Sequence, residues 1–78
     1  MSNLGIGQLA KRAGVAIDTV RYYERNQLLT PAGRLASGYR RYGETELKRL
    51  RFIRRAKALG FTLEDIRGLL SLSDERNV

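Results

Sequence analysis

The sequence predicts a small, mainly α-helical domain that carries one short two-stranded hairpin. Apolar residues recur at helical spacing in four separate stretches, and two of these stretches end at a glycine. The Thr30-Pro31 step interrupts the chain after the second stretch, because proline lacks a backbone N–H and disfavours helix at the residue before it. A length of 78 residues, 42% of them hydrophobic and 29% charged, suits one globular domain.

The first two predicted helices are short and lie close together in the chain. One apolar face is formed at the spacing i, i+3, i+4, i+7 by Ile6, Leu9, Ala10 and Ala13. Gly14 follows and is expected to end this helix in the left-handed conformation. A second helix is expected from Ile17 to about Asn26, with Ile17, Val20 and Tyr23 on its apolar, core-facing side. Two short helices joined by three residues that include a glycine predict a helix-turn-helix over about residues 6–26.

The segment from about residue 30 to residue 42 is predicted to form the hairpin, with strands at Arg34-Leu35 and Tyr39–Tyr42 around the turn Ala36-Ser37-Gly38. Tyrosine favours strands, and alternate residues of a strand point to opposite faces. We expect Tyr42 to pack onto the core and Tyr39 to face outward.

The longest helix is predicted over residues 44–59 and ends at Gly60. Its apolar residues recur every three positions: Leu47, Leu50, Ile53, Ala56 and Leu59. Arg49 falls near this apolar stripe, an anomaly that the sequence alone does not resolve. A last helix is expected over residues 63–71, with Thr62 as its N-cap and with Ile66 and Leu69 facing the core; residues 73–78 are polar and aperiodic.

The net charge of +7 is concentrated in the middle of the chain. Residues 34–57 contain nine basic and two acidic residues, so this stretch carries +7, whereas residues 1–33 carry +2 and residues 58–78 carry −2. Arginine outnumbers lysine by 12 to 3, and the planar guanidinium fork suits phosphate groups and guanine edges. The charge pattern therefore favours a polyanionic partner over a merely solvated basic face.

Several functional classes have little support. The chain has no cysteine and no histidine, which removes the usual nucleophile–base pairs and the commonest zinc ligands. The carboxylates of Glu64 and Asp65 are explained by their place at a helix start. No apolar run approaches the roughly 20 residues that cross a bilayer, and residues 1–14 do not have the layout of a secretory signal. We expect a cytoplasmic protein that is not an enzyme and has no membrane partner.

Duplex DNA is the partner that fits best. In a helix-turn-helix the early residues of the second helix meet the bases, and here these are Asp18, Thr19, Arg21 and Tyr22. Arg21 is expected to bind either guanine or a phosphate, and the sequence does not decide between them. The hairpin would supply further contacts beside this helix from Arg34, Tyr39 and Arg40.

Five separated motifs then carry a resemblance to a known family. IGQLAKRAGV, TVRYYE, LLTP, SGYRRY and LGFTLEDI occur in this order, and over about residues 4–72 the chain resembles the DNA-binding half of the MerR family of bacterial transcription regulators. The resemblance implies a winged helix-turn-helix that binds, as a homodimer, a pseudo-palindrome in a promoter spacer. It also implies that an effector makes the protein bend and untwist that spacer, so that RNA polymerase responds indirectly, through the promoter.

By motif, the resemblance assigns Arg21 and Tyr22 to the recognition helix, and Arg34, Tyr39 and Arg40 to the first wing (residues 30–42). Arg54 and Lys57 would support a second wing at residues 59–62. The domain would then cover residues 1–72, with residues 73–78 beginning a linker to a pairing helix in a longer protein.

Two residues depart from the family pattern: Ala16 stands where a Ser or Thr cap is common, and Gln27 stands where a glycine commonly ends the recognition helix. Asn26 or Gln27 is therefore expected to adopt an unusual backbone conformation. No cofactor is expected within the 78 residues. The effector, the target promoter and the choice between activation and repression stay open. The alternatives are a recombination-directionality or architectural protein of similar fold, and a basic protein-interaction module.

Overall fold

The computed structural model describes the backbone of residues 4–34 and 40–76, and the side chains of residues 4–34 and 41–72. Within that part of the chain it contains four helices and one two-stranded antiparallel hairpin, which confirms the predicted fold class. The elements are α1 Ile6–Ala13, α2 Ile17–Arg25, β1 Gly33–Arg34, β2 Arg40–Arg41, α3 Glu44–Ala58 and α4 Leu63–Arg76.

One apolar core joins the four helices and the base of the hairpin. α1 packs against both α2 and α3, and α4 packs against α3. The side chains that are almost completely enclosed come from every part of the described chain: Leu9, Val20, Leu28, Tyr42, Leu50, Ile53 and Ile66. No charged side chain is buried among the described residues. The core therefore fixes the helices, and the charges are left for the surface.

Three successive helices end in the same backbone motif. After α1, Gly14 adopts φ 75° and the Val15 amide donates to the Ala10 carbonyl at 3.0 Å. After α2, Gln27 adopts φ 63° and the Leu28 amide donates to the Tyr23 carbonyl at 2.9 Å. After α3, Gly60 adopts φ 97° and the Phe61 amide donates to the Ala56 carbonyl at 3.1 Å. These are Schellman motifs, and the unusual backbone expected at Asn26 or Gln27 is at Gln27.

The helix starts are capped by different means. The Gly5 amide donates to Gln8 Oε1, and the Gly43 amide donates to Glu46 Oε1. At α4, the Asp65 amide donates to Thr62 Oγ1 at 3.0 Å, and the Thr62 amide donates to Asp65 Oδ2 at 3.1 Å. The predicted Thr62 cap is therefore confirmed, with Asp65 completing a reciprocal pair. Ala16 begins α2 without a side-chain cap.

The hairpin is anchored at its base to the N-terminal segment. Gly33 pairs with Arg41 and Arg34 pairs with Arg40, while Leu4 and Tyr42 exchange two backbone hydrogen bonds of 2.8 Å. β1 begins at Gly33, one residue earlier than predicted, and β2 covers Arg40–Arg41, with Tyr42 in an isolated bridge to Leu4 instead of in the strand. The predicted strand residues Leu35 and Tyr39 lie outside the described residues. The predicted turn around Gly38 lies outside the described residues.

Four expectations about helix length and burial were wrong. Leu59 is 73% exposed, because residues three apart shift by about 60° per step on a helix with 3.6 residues per turn, so a stripe with this spacing leaves the core. Ile17 and Leu69 are each 40% exposed, and α4 contacts the core mainly through Ile66 and Leu70. α4 also continues to Arg76, past the predicted end at residue 71, because residues 71–78 contain neither proline nor glycine.

Candidate nucleic-acid interface

The outward face of α2 is a continuous polar surface. Asp18, Arg21, Tyr22 and Arg25 are all exposed, and their spacing i, i+3, i+4, i+7 places them on one side of the helix. Val20 and Tyr23 are buried on the opposite side. Among the predicted contacts, Arg21 and Tyr22 are therefore presented to solvent on a rigid helix, whereas Thr19 is half-buried at its edge.

The two adjacent tyrosines of α2 differ in environment. Their ring centroids are 5.8 Å apart with an interplanar angle of 54°, yet Tyr22 is 46% exposed and Tyr23 only 7%. Burial, and to a smaller extent the neighbouring Tyr22, raises the pKa of the Tyr23 phenol above its ordinary value of 10.0. Tyr23 thus belongs to the core, as expected, and Tyr22 is the phenol available to a partner.

The C-terminal end of α2 is held by arginines from two other helices. Arg49 Nε of α3 donates to the Leu28 carbonyl at 2.8 Å, and Arg67 Nη2 of α4 donates to the Asn26 carbonyl at 2.8 Å. Both acceptors lie in the turn that follows the helix, where carbonyl groups lack intrahelical partners. Arg49, the anomaly on the apolar stripe of α3, is thus explained as an anchor for α2.

A side-chain hydrogen bond connects α2 to the base of the hairpin, the predicted first wing. The Tyr42 hydroxyl donates to Glu24 Oε2 at 2.6 Å, and Tyr42 is completely buried. Beside it, a Cβ added to Gly33 would lie 2.9 Å from Arg41 Nη2, so the guanidinium of Arg41 packs directly on the glycine backbone. The wing therefore starts from a fixed position relative to α2.

The strands of the first wing place two arginines opposite each other. Arg34 is exposed and is the register partner of Arg40. The side chain of Arg40 and all of Tyr39 lie outside the described residues.

On α3, Arg54 packs against the helix-turn-helix. A Cβ added to Gly14 would lie 3.5 Å from Arg54 Cζ, which places the guanidinium in contact with the turn between α1 and α2. Arg51 Nη2 lies 3.5 Å from the Arg12 carbonyl at the end of α1. Lys57 is exposed in the last turn of α3. The structure thus brings Arg54 beside the turn that leads into α2 and places Lys57 near residues 59–62.

Sequence reasoning missed three residues that position this surface: Glu24, Arg49 and Arg67. Each acts over a separation of 18 to 41 residues, so no local spacing indicates its partner. The sequence offered one indication: Arg49 is a charged residue that lies near the apolar stripe of α3.

A two-helix unit with an exposed basic face, a hairpin fixed beside it and two further helices matches one family in particular. The family model described as "MerR HTH family regulatory protein" matches residues 4–73. The chain belongs to the MerR family. The resemblance inferred from five sequence motifs is thereby confirmed.

MerR-family relatives match along nearly the whole chain. The HTH-type transcriptional regulator ZntR of Escherichia coli K12 is 54% identical over 67 residues, which are 86% of this chain and 48% of ZntR. The crystal structure of PbrR691 from Ralstonia metallidurans CH34, in complex with lead(II), has a TM-score of 0.87 and 43% identity, and covers 96% of this chain and 59% of PbrR691. HiNmlR, described as a MerR family regulator lacking the sensor domain and bound to promoter DNA, has a TM-score of 0.85 and 27% identity, and covers 91% of this chain and 54% of that protein.

The chain spans about half the length of the curated relatives that it matches. The similarity therefore concerns one region of those MerR-family regulators. In the described part of this chain, no helix is long and apolar enough to cross a membrane.

Proposed function

We propose that this domain binds duplex promoter DNA with sequence specificity and that α2 enters the major groove as the recognition helix. The exposed face of α2 carries the proposal: Arg21, Tyr22 and Arg25 lie on one side of a helix whose other side is buried. Anchors at Asn26 and Leu28 fix the orientation of that face. The relative HiNmlR bound to promoter DNA supports the same function.

In this proposal the predicted site residues divide into two groups. Arg21 reads a base edge, with Thr19 and Tyr22 beside it. Arg34, Tyr39 and Arg40 of the first wing, together with Arg54 and Lys57, contact the phosphate backbone and set the register of the helix. The proximity of Arg54 to the helix-turn-helix turn and the exposure of Lys57 support this division.

We further propose that the complete protein acts as a homodimer on a promoter spacer, distorts it in response to an effector and so controls RNA polymerase through the promoter. A backbone held at several separated points suits control by DNA shape. The domain has no catalytic role in this proposal, and its place of action is the cytoplasm, where a bacterial chromosome lies.

Base reading and backbone clamping are distinguished by two variants. Arg21→Ala should cost roughly 1–3 kcal/mol of binding free energy and relax specificity at one base pair. Lys57→Ala should weaken binding equally on specific and random duplexes, with a salt slope shallower by about one. Fluorescence anisotropy on a selected duplex and a scrambled duplex at several salt concentrations measures both effects.

The same titration separates the proposal from its alternatives. A steep salt slope with a specificity ratio supports sequence-specific DNA binding. Weak association with every duplex, with no specificity ratio, would instead favour the basic protein-interaction module. A genomic footprint over a recombination site, rather than over a promoter spacer, would favour the architectural protein.

A further inference from the structure

We propose that a groove on α3, formed by Arg51, Arg54, Arg55 and Ala58, is an additional binding site for the DNA phosphate backbone. The groove encloses about 300 Å³, and all its polar lining residues are arginines. The proposal rests on the DNA-binding function proposed above and adds a contact that the sequence motifs do not assign, because neither Arg51 nor Arg55 was among the predicted site residues.

The position of the groove connects two parts of the proposed interface. At one end, Arg54 contacts Gly14 in the turn that leads into α2, and Arg51 lies beside the carbonyl end of α1. At the other end, Ala58 is the last residue of α3 before the chain reverses at residues 59–62. A DNA backbone that passes the helix-turn-helix turn and reaches the second wing therefore lies along this groove.

The electrostatics of the groove favour an anion. Arg51, Arg54 and Arg55 are spaced i, i+3, i+4, so their side chains emerge on neighbouring parts of one helix surface. No acidic residue lines the groove, and like charges at this spacing destabilise a helix. A bound phosphate relieves that repulsion and accepts hydrogen bonds from the guanidinium forks.

The lining also indicates which part of DNA is bound. The wall contains three guanidinium groups and one methyl group, with no aromatic ring on which a base would stack. Backbone phosphate is therefore the fitting ligand, and the contact is independent of sequence. An acidic segment of a partner protein has related charge, but the contact of Arg54 with the helix-turn-helix favours DNA.

Arg55→Gln is the sharpest test. Arg55 is exposed and, among the described residues, takes part in no hydrogen bond or ion pair, whereas Arg51 and Arg54 contact α1 and its turn. Lys48→Gln is the matched control, because Lys48 is exposed on the same helix, outside the groove, and the substitution removes the same charge. Circular dichroism melting establishes that both variants fold.

Binding of a selected operator duplex and a random duplex is measured by anisotropy from 50 to 300 mM NaCl. Arg55→Gln should raise Kd about three- to ten-fold on both duplexes and make the salt slope shallower by about 0.9, the value for one lost phosphate contact. Lys48→Gln should change Kd by less than about two-fold and leave the slope within error. A methylphosphonate at the contacted phosphate should weaken binding by the unaltered chain and have little further effect on Arg55→Gln.

The failures of the two proposals are distinguishable. If the unaltered chain lacks salt-dependent, sequence-specific binding, the DNA-binding function fails and the groove proposal fails with it. If the unaltered chain binds as expected while Arg55→Gln behaves like Lys48→Gln, the groove proposal alone is overturned. Binding of poly-glutamate, as a probe for an acidic protein partner, is measured in the same way. If Arg55→Gln loses poly-glutamate binding while its DNA affinity is unchanged, the groove binds an acidic protein partner and the groove proposal is overturned.

Discussion

At the scale of single residues, Tyr42 has two roles in one side chain. Its ring fills the core completely, and its hydroxyl donates to Glu24 of α2 at 2.6 Å. Its backbone also pairs with Leu4. Tyr42 therefore joins the N-terminal segment, the hairpin and α2 at one point, so a change there affects how the proposed DNA-binding surface is assembled.

Tyr42→Phe isolates the hydroxyl. Hydrogen bonds to charged acceptors stabilise proteins more than neutral ones do, so the variant should lower the free energy of unfolding by about 1–2 kcal/mol. Tyr23→Phe is the matched control, because Tyr23 is equally part of the core but its hydroxyl has no hydrogen bond among the described residues; its effect should stay within about 0.5 kcal/mol. Urea denaturation measures both, and equal losses would remove the special role of the Tyr42–Glu24 bond.

The raised pKa of Tyr23 predicts a pH dependence. Below pH 10 the phenol is protonated in the folded and the unfolded chain, so its contribution is intact. Above pH 10 the unfolded chain ionises first, and stability falls by up to about 1.4 kcal/mol per pH unit until the folded pKa is reached. The stability difference between the unaltered chain and Tyr23→Phe should therefore shift in favour of the variant between pH 9.5 and 11. A difference that stays constant over this range would contradict the assignment.

Some of these residue roles were predictable and others were not. The packing of Tyr23 and Tyr42 followed from helical and strand spacing. The resemblance to the family narrowed the unusual backbone to Asn26 or Gln27, and the structure has it at Gln27. The partners of Arg49 and Arg67 did not follow, because a guanidinium that reaches a carbonyl of another element depends on tertiary packing. Charge counting does not distinguish arginines that contact a polyanion from Arg49 and Arg67, which hold the protein together.

At the scale of elements, the Schellman motifs decide where three helices stop and how the next segment departs. Two of the left-handed positions are glycines, and the third is Gln27. A side chain at such a position costs about 1–2 kcal/mol because its Cβ crowds the carbonyl oxygen. The recognition helix thus ends in a strained conformation that its Arg49 and Arg67 anchors offset.

Opposite substitutions at equivalent positions test this interpretation. Gln27→Gly should raise the free energy of unfolding by about 0.5–1 kcal/mol, since relief of strain exceeds the added entropy of the unfolded chain. Gly60→Ala should lower it by about 1 kcal/mol or more. No heavy atom lies within 4 Å of a Cβ built on Gly60, so this loss reports backbone strain alone. Thermal melting of both variants shows whether each change stabilises or destabilises the domain. If Gln27→Gly lowers Tm, the contacts of the glutamine side chain stabilise the fold by more than its backbone strain destabilises it.

The helix starts and the order of the elements were predictable because the signals are local: capping residues, glycines and apolar spacing. The end of α4 was not, because a helix continues past its last buried residue when no breaker follows, as it does here to Arg76. The exposed polar face of α2 could be predicted as a set of residues. The arginines that line the groove on α3 could likewise be grouped by their helical spacing. The contact of Arg51 with the end of α1 could not be predicted, because it depends on how α3 crosses α1.

At the scale of the whole molecule, the charge has a double effect. A net charge of +7 on 78 residues attracts a polyanion but repels itself in the free domain. The repulsion is concentrated in residues 34–57, which carry +7 in total. Binding of DNA, or screening by salt, should relieve the same repulsion.

Salt should therefore change folding and binding in opposite directions. Raising NaCl from 20 to 300 mM should stabilise the free domain by about 1 kcal/mol, which raises Tm by roughly 4–8 °C for a domain of this size. The affinity for DNA should fall steeply over the same range, because releasing condensed counterions into a more concentrated salt solution gains less entropy. Arg55→Gln should have a higher Tm than the unaltered chain at 20 mM NaCl and a weaker salt dependence, since one of three clustered guanidiniums is gone. A Tm that decreases as salt is added would mean instead that attractive pairs on the surface outweigh the repulsion, and the arginine groove would then not be a strained anion site.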